Sequence, residues 1–308
     1  ELDYNHAADG FERLDWNNTL DLDGDGTPDN VDPGADLTPP TDLTINLPDT
    51  LHYRVNGSVT GSPLLAAGPV TINGTADFAL SRWDVNLGTL DSTALVVDDA
   101  TLAITGLATV TLDGQLAIAQ ITPDGETDAR YTALKMGDVN VTASSDSGAF
   151  AVSGTLTIDE LDYNHAADGF ERLDWNNDLD LDGNGTPDNV DPGVDLPTPA
   201  TLPINLPATL HHRLSGNVTP TGTDPILTAG PITITGTADF ALSRRDVNLG
   251  TLDSTALVLN TGTSLAITDL ATVTLSGQIS LAQITPAGET DPRYTALKMG
   301  QVTIAAST

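Results

Sequence analysis

Two short acidic stretches carry side chains whose types and spacing suit a bound metal ion. Residues 21–32 read DLDGDGTPDNVD and residues 180–191 read DLDGNGTPDNVD, so oxygen-bearing side chains recur at alternate positions with a glycine at the sixth. This spacing matches the D-x-[DN]-x-[DN]-G calcium-loop pattern. A Ca2+ ion takes six to eight oxygens at about 2.3–2.6 Å, which a tightly curled acidic loop supplies. The pattern therefore predicts one Ca2+ site in each stretch.

The two stretches differ at one ligand position, where Asp25 is replaced by Asn184. An amide still offers an oxygen, so the predicted ligand set survives the replacement. Thr27 and Thr186 are expected to contribute main-chain carbonyl oxygens. The alternative is a solvated turn, because Asp and Gly also dominate loops that bind no metal. The predicted ligands are Asp21, Asp23, Asp25, Thr27, Asp29 and Asp32, and Asp180, Asp182, Asn184, Thr186, Asp188 and Asp191.

The residues before each loop offer weaker candidates. His6 lies near Asp9, Glu12 and Asp15, and His165 stands in the identical block of the second copy. In one interpretation, Asp9, Glu12 and Asp15 add ligands to the adjacent calcium loop or bind a second ion. In the other, the block that contains them has a structural role and binds no metal. No nucleophile elbow, phosphate loop or zinc-protease motif is present, so no catalytic residue is predicted and the chain is not expected to be an enzyme.

The charge balance excludes several classes of partner. The chain has 308 residues, 43 of them acidic and 11 basic, with a formal charge of -32. Nucleic acid and anionic lipid both require Lys and Arg, so neither is expected as a partner. No apolar run approaches 18 residues, which argues against membrane insertion. Calcium loops fill most readily at the millimolar concentration found outside cells, so an extracellular or cell-surface location is expected.

The chain contains an internal repeat of about 160 residues. Residues 1–18 are identical to residues 160–177, and later blocks match with slightly larger offsets. A period of this length is that of a domain, not of a solenoid unit. The sequence therefore predicts repeat 1 at 1–159 and repeat 2 at 160–308. Each repeat divides into a calcium-binding segment (1–36 and 160–195) and a β-domain (37–159 and 196–308).

The long part of each repeat reads as β-structure. Residues 70–80 alternate apolar and polar side chains, as strands with one buried face do. Asn56-Gly57 and Asp113-Gly114 read as hairpin turns between strands. The prediction is an all-β chain of two tandem β-sandwich or barrel-like repeats, each preceded by a short calcium-binding segment.

The end of the second repeat predicts self-association. Residues 149–158 read as a strand that runs directly into residue 160, but the second repeat lacks the counterpart of residues 146–159. A sheet without its last strand exposes an edge, which a longer array or β-strand addition from a neighbouring unit would cover. Lys135 and Lys298 are the chain's two lysines. Each is expected either to pair with a carboxylate, within its repeat or across a subunit contact, or to remain exposed.

The calcium stretches resemble thrombospondin type 3 repeats and related EF-hand-like loops over about a dozen residues per repeat. They differ in lacking cysteine, and the chain contains none. The rest of the chain resembles tandem-repeat bacterial surface proteins, adhesins and extracellular fibres in its general character, without a diagnostic motif. The resemblance implies a structural subunit of a calcium-stabilised filament or surface stalk, polymerising by strand addition. The alternative is a cell-surface adhesin or carbohydrate-binding module with a glycan ligand.

Overall fold

The chain folds into one continuous antiparallel β-sheet. The computed structural model describes residues 1–67, 70–104, 108–146, 150–220, 225, 227–229, 232–260, 262–267 and 271–307. Within these ranges no α-helix occurs, and the helical turns are two short 3₁₀ helices, Pro33–Asp36 and Pro192–Asp195. No helix among the described residues has the length and apolarity needed to span a membrane. The all-β prediction is confirmed.

The strands follow one another as a meander of long hairpins. Most strands of the first repeat have 16 or 17 residues, which is about 50 Å at the usual rise per residue. The strands are β1 (Leu2–Tyr4), β2 (Leu51–Ala67), β3 (Val70–Val85), β4 (Gly88–Ile104), β5 (Ala108–Pro123), β6 (Tyr131–Asp146), β7 (Phe150–Ala166), β8 (Leu210–Pro220), β9 (Leu227–Ala229), β10 (Ile232–Thr235), β11 (Ala238–Val247), β12 (Gly250–Leu259), β13 (Ser264–Ile267), β14 (Ala271–Pro286) and β15 (Tyr294–Ser307).

The sheet passes from the first repeat to the second without interruption. Strand β7 crosses residue 160 and pairs with β6 on one side and with β8 and β9 on the other. Strands β11, β12, β14 and β15 then continue the meander. The expected pair of sandwiches or barrels is therefore wrong in its architecture: one sheet serves both repeats, and it does not close. The cause is β7, whose alternating pattern is long enough to pair across the whole junction.

A row of bulges crosses the long strands near their middle. Gly74, Asp99, Gly114 and Asp138 all have positive φ, and the strand register shifts beside the first three of them. An extra residue at the same level of neighbouring strands bends the sheet along a line. Each of these strands therefore has two halves of different direction.

Two predicted turns are wrong for this reason. Gly114 lies inside β5, where its φ of 150° accommodates a bulge and does not reverse the chain. Gly57 lies inside β2, where a Cβ atom would stand 3.2 Å from the ring of Phe78 on β3. Each glycine makes room for a neighbouring strand, a requirement that local sequence cannot distinguish from a turn.

Replacing Gly114 tests the bulge row. An alanine Cβ at this position would lie 2.6 Å from Val139 Cγ2 and 2.8 Å from Val139 Cα, at a φ that L-residues rarely adopt. We expect Gly114→Ala to lower the free energy of unfolding by about 1–3 kcal/mol, measured by urea titration. Gly137→Ala on the adjacent strand is the control, because its Cβ would meet its nearest neighbour at 3.8 Å. Equal stability of the two variants would contradict the assignment.

Candidate metal centre and the acidic segments

Each predicted calcium loop belongs to a longer segment that joins two neighbouring strands. The first acidic segment, residues 5–50, connects β1 to β2, and the second, residues 167–209, connects β7 to β8. An isolated antiparallel β-bridge joins Val31 to Ile45 within the first segment, and another joins Val190 to Ile204 within the second. Both segments are thus closed loops that leave and re-enter the sheet at adjacent strands.

A buried asparagine fastens the base of each segment. Asn164 Nδ2 donates to the carbonyls of Leu173 (2.9 Å) and Pro207 (3.1 Å), and its Oδ1 accepts the indole N–H of Trp175 at 3.1 Å. Asn5 makes the same three bonds in the first segment. Full satisfaction of a buried amide holds both ends of the segment together. Sequence reasoning missed this residue, although Asn5 stands in the repeated NHAAD block.

The first predicted calcium loop is shaped by its own carboxylates. Asp21 accepts main-chain N–H bonds from Gly24 at 2.6 Å and Gly26 at 2.9 Å. Asp29 Oδ2 accepts the N–H of Leu22 at 2.7 Å. Gly26 has a φ of 87°, the left-handed conformation that the predicted sixth position requires. The carboxylates therefore fold inward over a tight turn.

Three of the predicted ligands in each loop come together. Carboxylate oxygens of Asp21, Asp23 and Asp29 lie within 4.8 Å of one another, and Asp180, Asp182 and Asp188 form the equivalent group. Two unit charges about 4 Å apart interact by about 1 kcal/mol in water and by more in a less polar setting, so a divalent cation would relieve a real repulsion. The Ca2+ assignment itself stays a prediction.

The remaining predicted ligands have other partners. Asp25 and Asn184 each accept bonds from the threonine two residues later, Thr27 and Thr186. Asp32 Oδ1 accepts the N–H groups of Gly34 and Leu43 at 3.0 and 2.9 Å, and so caps the 3₁₀ helix.

Asp191 does the same with Gly193 and Leu202. These aspartates link the loop to the returning chain, because each bonds both the residue two positions later and a residue eleven positions later. They lie outside the group of three.

Hydrogen bonding also sets the ionisation of the loops. The N–H groups of Gly26 and Gly24 lower the pKa of Asp21, and that of Gly185 is the largest cause lowering the pKa of Asp180. A lowered pKa keeps each carboxylate charged into acidic solution, the form that binds cations. Asp21 and Asp180 therefore remain ionised across the physiological pH range.

The histidine blocks form no such group. Among the described residues, no acidic cluster of this kind contains a histidine. The ring of His6 stacks on Tyr4 with centroids 5.8 Å apart, and His165 stacks on Tyr163 in the same way. Asp15 accepts bonds from Asn17 and Asn18 in a local turn. The additional ligands proposed from Asp9, Glu12 and Asp15 do not join the loop group.

The structure adds one acidic group that the sequence pattern did not indicate. Asp98, Asp99 and Asp113 approach one another at the bulge row, where Asp99 has a φ of 49°. The aligned positions of the second repeat include Asn260 and Ser276, so the group is not repeated. Its members are brought together by the bulge between β4 and β5, which spacing along the chain does not show.

The second acidic segment lies flat on the sheet of the first repeat. Its 3₁₀ helix Pro192–Asp195 contacts β3, β4 and β5. Alanines from the sheet and large apolar side chains from the segment form one core, with Trp175, Leu179 and Leu206 fully buried. Burying each such side chain contributes about 1.5–3 kcal/mol, so this contact is a major source of stability.

Polar contacts at the rim set the position of the segment. Arg54 Nη1 donates to Asp195 Oδ1 at 3.2 Å, and Asn56 Nδ2 donates to the Asp195 carbonyl at 2.7 Å. Asn86, in the β3–β4 turn, exchanges side-chain bonds with the main chain of Asp178 and Asp180. Asp180 is the first predicted ligand of the second loop, so a hydrogen bond joins this loop directly to the sheet.

Lys135 is the lysine that finds a carboxylate. Its Nζ lies 3.4 Å from an oxygen of Asp162, which is fully buried, and 3.3 Å from Oδ1 of Asn205 in the segment. Arg213 also pairs with Asp162. Lys135 therefore pairs with a carboxylate, but Asp162 belongs to the second repeat, so the ion pair joins the two repeats and does not lie within one of them. Lys298 is exposed and makes no ion pair with the described residues.

A second cluster anchors each segment to its own repeat. His52 Nε2 lies 2.6 Å from Asp84 Oδ1, and Arg13 contacts both the His52 ring and the Asp84 carboxylate. Arg172, His211 and Asp246 repeat the arrangement. Burial, followed by the charge of Arg13, lowers the pKa of His52. Sequence reasoning singled out His6 and missed His52, because the cluster joins three distant parts of the chain.

Comparison with protein-family models, curated proteins and solved structures gives no match. The functional reading therefore depends on the geometry described above.

Neutralising the second loop tests its coupling to the sheet. We expect Ca2+ to protect the amides of residues 179–206 from hydrogen exchange in the wild type, because a filled loop holds Asp180 against Asn86. Asp180→Asn with Asp182→Asn should remove that Ca2+-dependent protection. Asp21→Asn with Asp23→Asn is the matched control and should leave residues 179–206 unchanged. Exchange that does not respond to Ca2+ in the wild type would contradict the coupling.

Titration of His52 tests the anchor. Its pKa in the folded chain is lowered, so its contribution to stability is complete above the unfolded value of about 6.5 and is lost as the pH falls below it. We expect an NMR midpoint for the His52 ring below 6.5. Arg13→Gln should raise that midpoint, because a neighbouring positive charge is removed. A wild-type midpoint at or above 6.5 would contradict the assigned environment.

Proposed function

We propose that this chain is a structural repeat protein of a calcium-stabilised extracellular filament or surface stalk. The observation that supports this most strongly is the seating of the second acidic segment on the sheet of the preceding repeat. The second repeat uses its segment to cover the sheet of the first repeat, and β7 carries the sheet across the junction. Such an arrangement extends in one direction by adding repeats, as solenoid scaffolds do by stacking.

In this proposal Ca2+ stabilises the cover. The loop is held to the sheet through the contact between Asp180 and Asn86, and the group of three carboxylates supplies oxygens suited to a hard cation. At free Ca2+ about 100 times Kd, binding adds about 2.7 kcal/mol to the stability of the folded state. The millimolar Ca2+ outside cells would keep such a site filled. The thrombospondin type 3-like loops are proposed to serve this purpose.

The proposal assigns no catalytic role to the acidic groups. The acidic groups among the described residues lie on loops or at a bulge, and they are more exposed than buried. No enzyme activity is proposed.

A second candidate function, a glycan-binding surface module, has one observation in its favour. A cleft of about 530 Å³ lies between the sheet of the first repeat and the second segment, with Trp83, Arg54 and Asp182 in its wall. An aromatic face beside charged hydrogen-bonding groups suits a sugar ring. The second repeat has Arg245 in place of Trp83, so only one such cleft is expected per chain.

Calcium titration with electron microscopy tests the structural proposal. We expect calorimetry of the full chain to show Ca2+ binding at two loops, with one lost in Asp180→Asn/Asp182→Asn. Micrographs should show particles of uniform length in Ca2+ and of variable outline after chelation. An absence of Ca2+ binding, or identical particles in both conditions, would overturn the calcium part of the proposal.

A glycan array separates the two candidates. A saturable glycan signal that Trp83→Ala abolishes and Arg245→Ala retains would favour the binding module, whereas a scaffold gives no saturable signal.

A further inference from the structure

The sheet of the second repeat has a face that is covered in the first repeat and uncovered here. Ala79 and Ala133 are 2% and 0% exposed beneath the second segment, and their counterparts Ala241 and Ala296 are exposed. An open depression of about 410 Å³ lies on this face. This face of the second repeat therefore has the small side chains of the first repeat's core but no segment packed on them.

The first acidic segment has the complementary defect. Leu37 and Leu43 are 49% and 54% exposed, whereas their counterparts Leu196 and Leu202 are 3% and 8% exposed against the first sheet. Phe11 is 79% exposed, although its counterpart Phe170 packs edge-on against Tyr131. The acidic segment is folded in the same way in both repeats. The apolar face of the first segment is therefore shaped to pack on a sheet, and the described residues place no sheet against it.

We propose that the uncovered face formed by β11, β12, β14 and β15 binds the first acidic segment of a second copy of this chain. The register is that in which the second acidic segment binds β3–β6. The inference rests on the proposed function, because it assumes that repeats are joined by covering one another, and it names the surfaces that would do so. The interface inside the chain is the template, and both halves of it are repeated in sequence and in fold.

The polar contacts of the template identify the expected partners. Lys135 contacts Asp162 and Asn205, so Lys298 should contact Asp3 and Asn46 of the second copy.

Arg54 contacts Asp195, so Arg213 should contact Asp36 of the second copy. Asn86 bonds the main chain at Asp180, so Asn248 should bond it at Asp21 of the second copy. Asp36, Asn46 and Asn248 are all exposed. The same chemistry is therefore available at each position.

Strand pairing agrees with this register. In the template Lys135 pairs with Asp162 and Met136 with Leu161 across β6 and β7. Strand β15 pairs with β14 alone in the described part of the chain. Leu2–Tyr4 of a second copy, the counterpart of residues 161–163, would add to β15 with Lys298 opposite Asp3. Main-chain hydrogen bonds then accompany the side-chain contacts, as in β-strand addition.

The one large departure from the template favours an acidic partner. Trp83 lies in the wall of the template cleft with Asp182 and Asp188, and the second sheet has Arg245 there. In the proposed complex Arg245 would face the first calcium loop of the second copy. A cation opposite that cluster is complementary in charge, which speeds association and selects the partner.

Sedimentation velocity of the full chain in Ca2+ tests the surface. We expect reversible head-to-tail association at a protein concentration of about 100 µM. This concentration is high enough to detect a weak specific interaction with a Kd of about 100 µM. Ala296→Arg should weaken it at least about tenfold, because the counterpart of Ala296 is completely covered. Thr295→Arg, one residue away and pointing to the other face, should associate as the wild type does. A monomeric wild type, or equal effects of the two variants, would overturn the proposal.

Cross-linking tests the register, since the chain has no cysteine. A chain with Lys298→Cys, mixed with one carrying Asn46→Cys, should give a covalent dimer with a short bis-maleimide. Asp291→Cys, exposed in the loop before β15, replaces Lys298→Cys as the control and should give little product. Equal yields from both would overturn the register.

The outcome for this interface is separable from that for the proposed function. Loss of Ca2+-dependent exchange at residues 179–206 concerns the internal junction alone, whereas the cross-link concerns only the two outer surfaces.

Discussion

The structure depends on covering one face of a sheet lined by small side chains. Alanine and serine on β3, β4, β5 and β6 lack the volume to form a core by themselves, and a single-layer sheet buries nothing on its own. The second acidic segment supplies the bulk, with Trp175 and several leucines fitted onto the alanines. Small residues on one layer and large ones on the other pack closely, because the flat face lets the segment approach.

Local hydrogen bonds and a few basic side chains hold the acidic parts of the chain in place. Carboxylates of both predicted calcium loops accept bonds from main-chain N–H groups. Few basic residues are present, and several of them are used where segment and sheet meet, as Arg54, Arg13 and Lys135 show. Placing the scarce positive charge at the interface makes each ion pair contribute to position as well as to neutralisation, since partly buried pairs are screened less by salt.

Sequence reasoning reached the class of fold and the three-carboxylate groups, and it failed where long-range geometry decides. Alternation in residues 70–80 and 150–158 predicts strands correctly because period two is a local property, and residue 149 lies outside the described part of the chain. Asp113-Gly114 predicts a turn where the structure has a bulge, because a bulge and a turn use the same residue types. The hydrogen bonds of Asn5 and the contact between Arg13 and His52 join positions that are 9, 43 and 39 residues apart. No rule based on spacing along the chain reveals such contacts. Asp32 is a predicted ligand whose Oδ1 also accepts the N–H group of Leu43 on the returning chain, and its role as a ligand stays a prediction.

The continuous sheet changes the role expected of the predicted calcium loop. Between two separate sandwiches a loop would act as a hinge lock, since the angle between domains would depend on it. Here β7 already fixes the relation of the two repeats through its pairing with β6 and β8. The loop is instead joined to the cover: Asp180 bonds Asn86 on the sheet, and Val190 and Leu179 beside it lie in the core. The Ca2+ proposed above would therefore act on the contact that shields the alanine face from water.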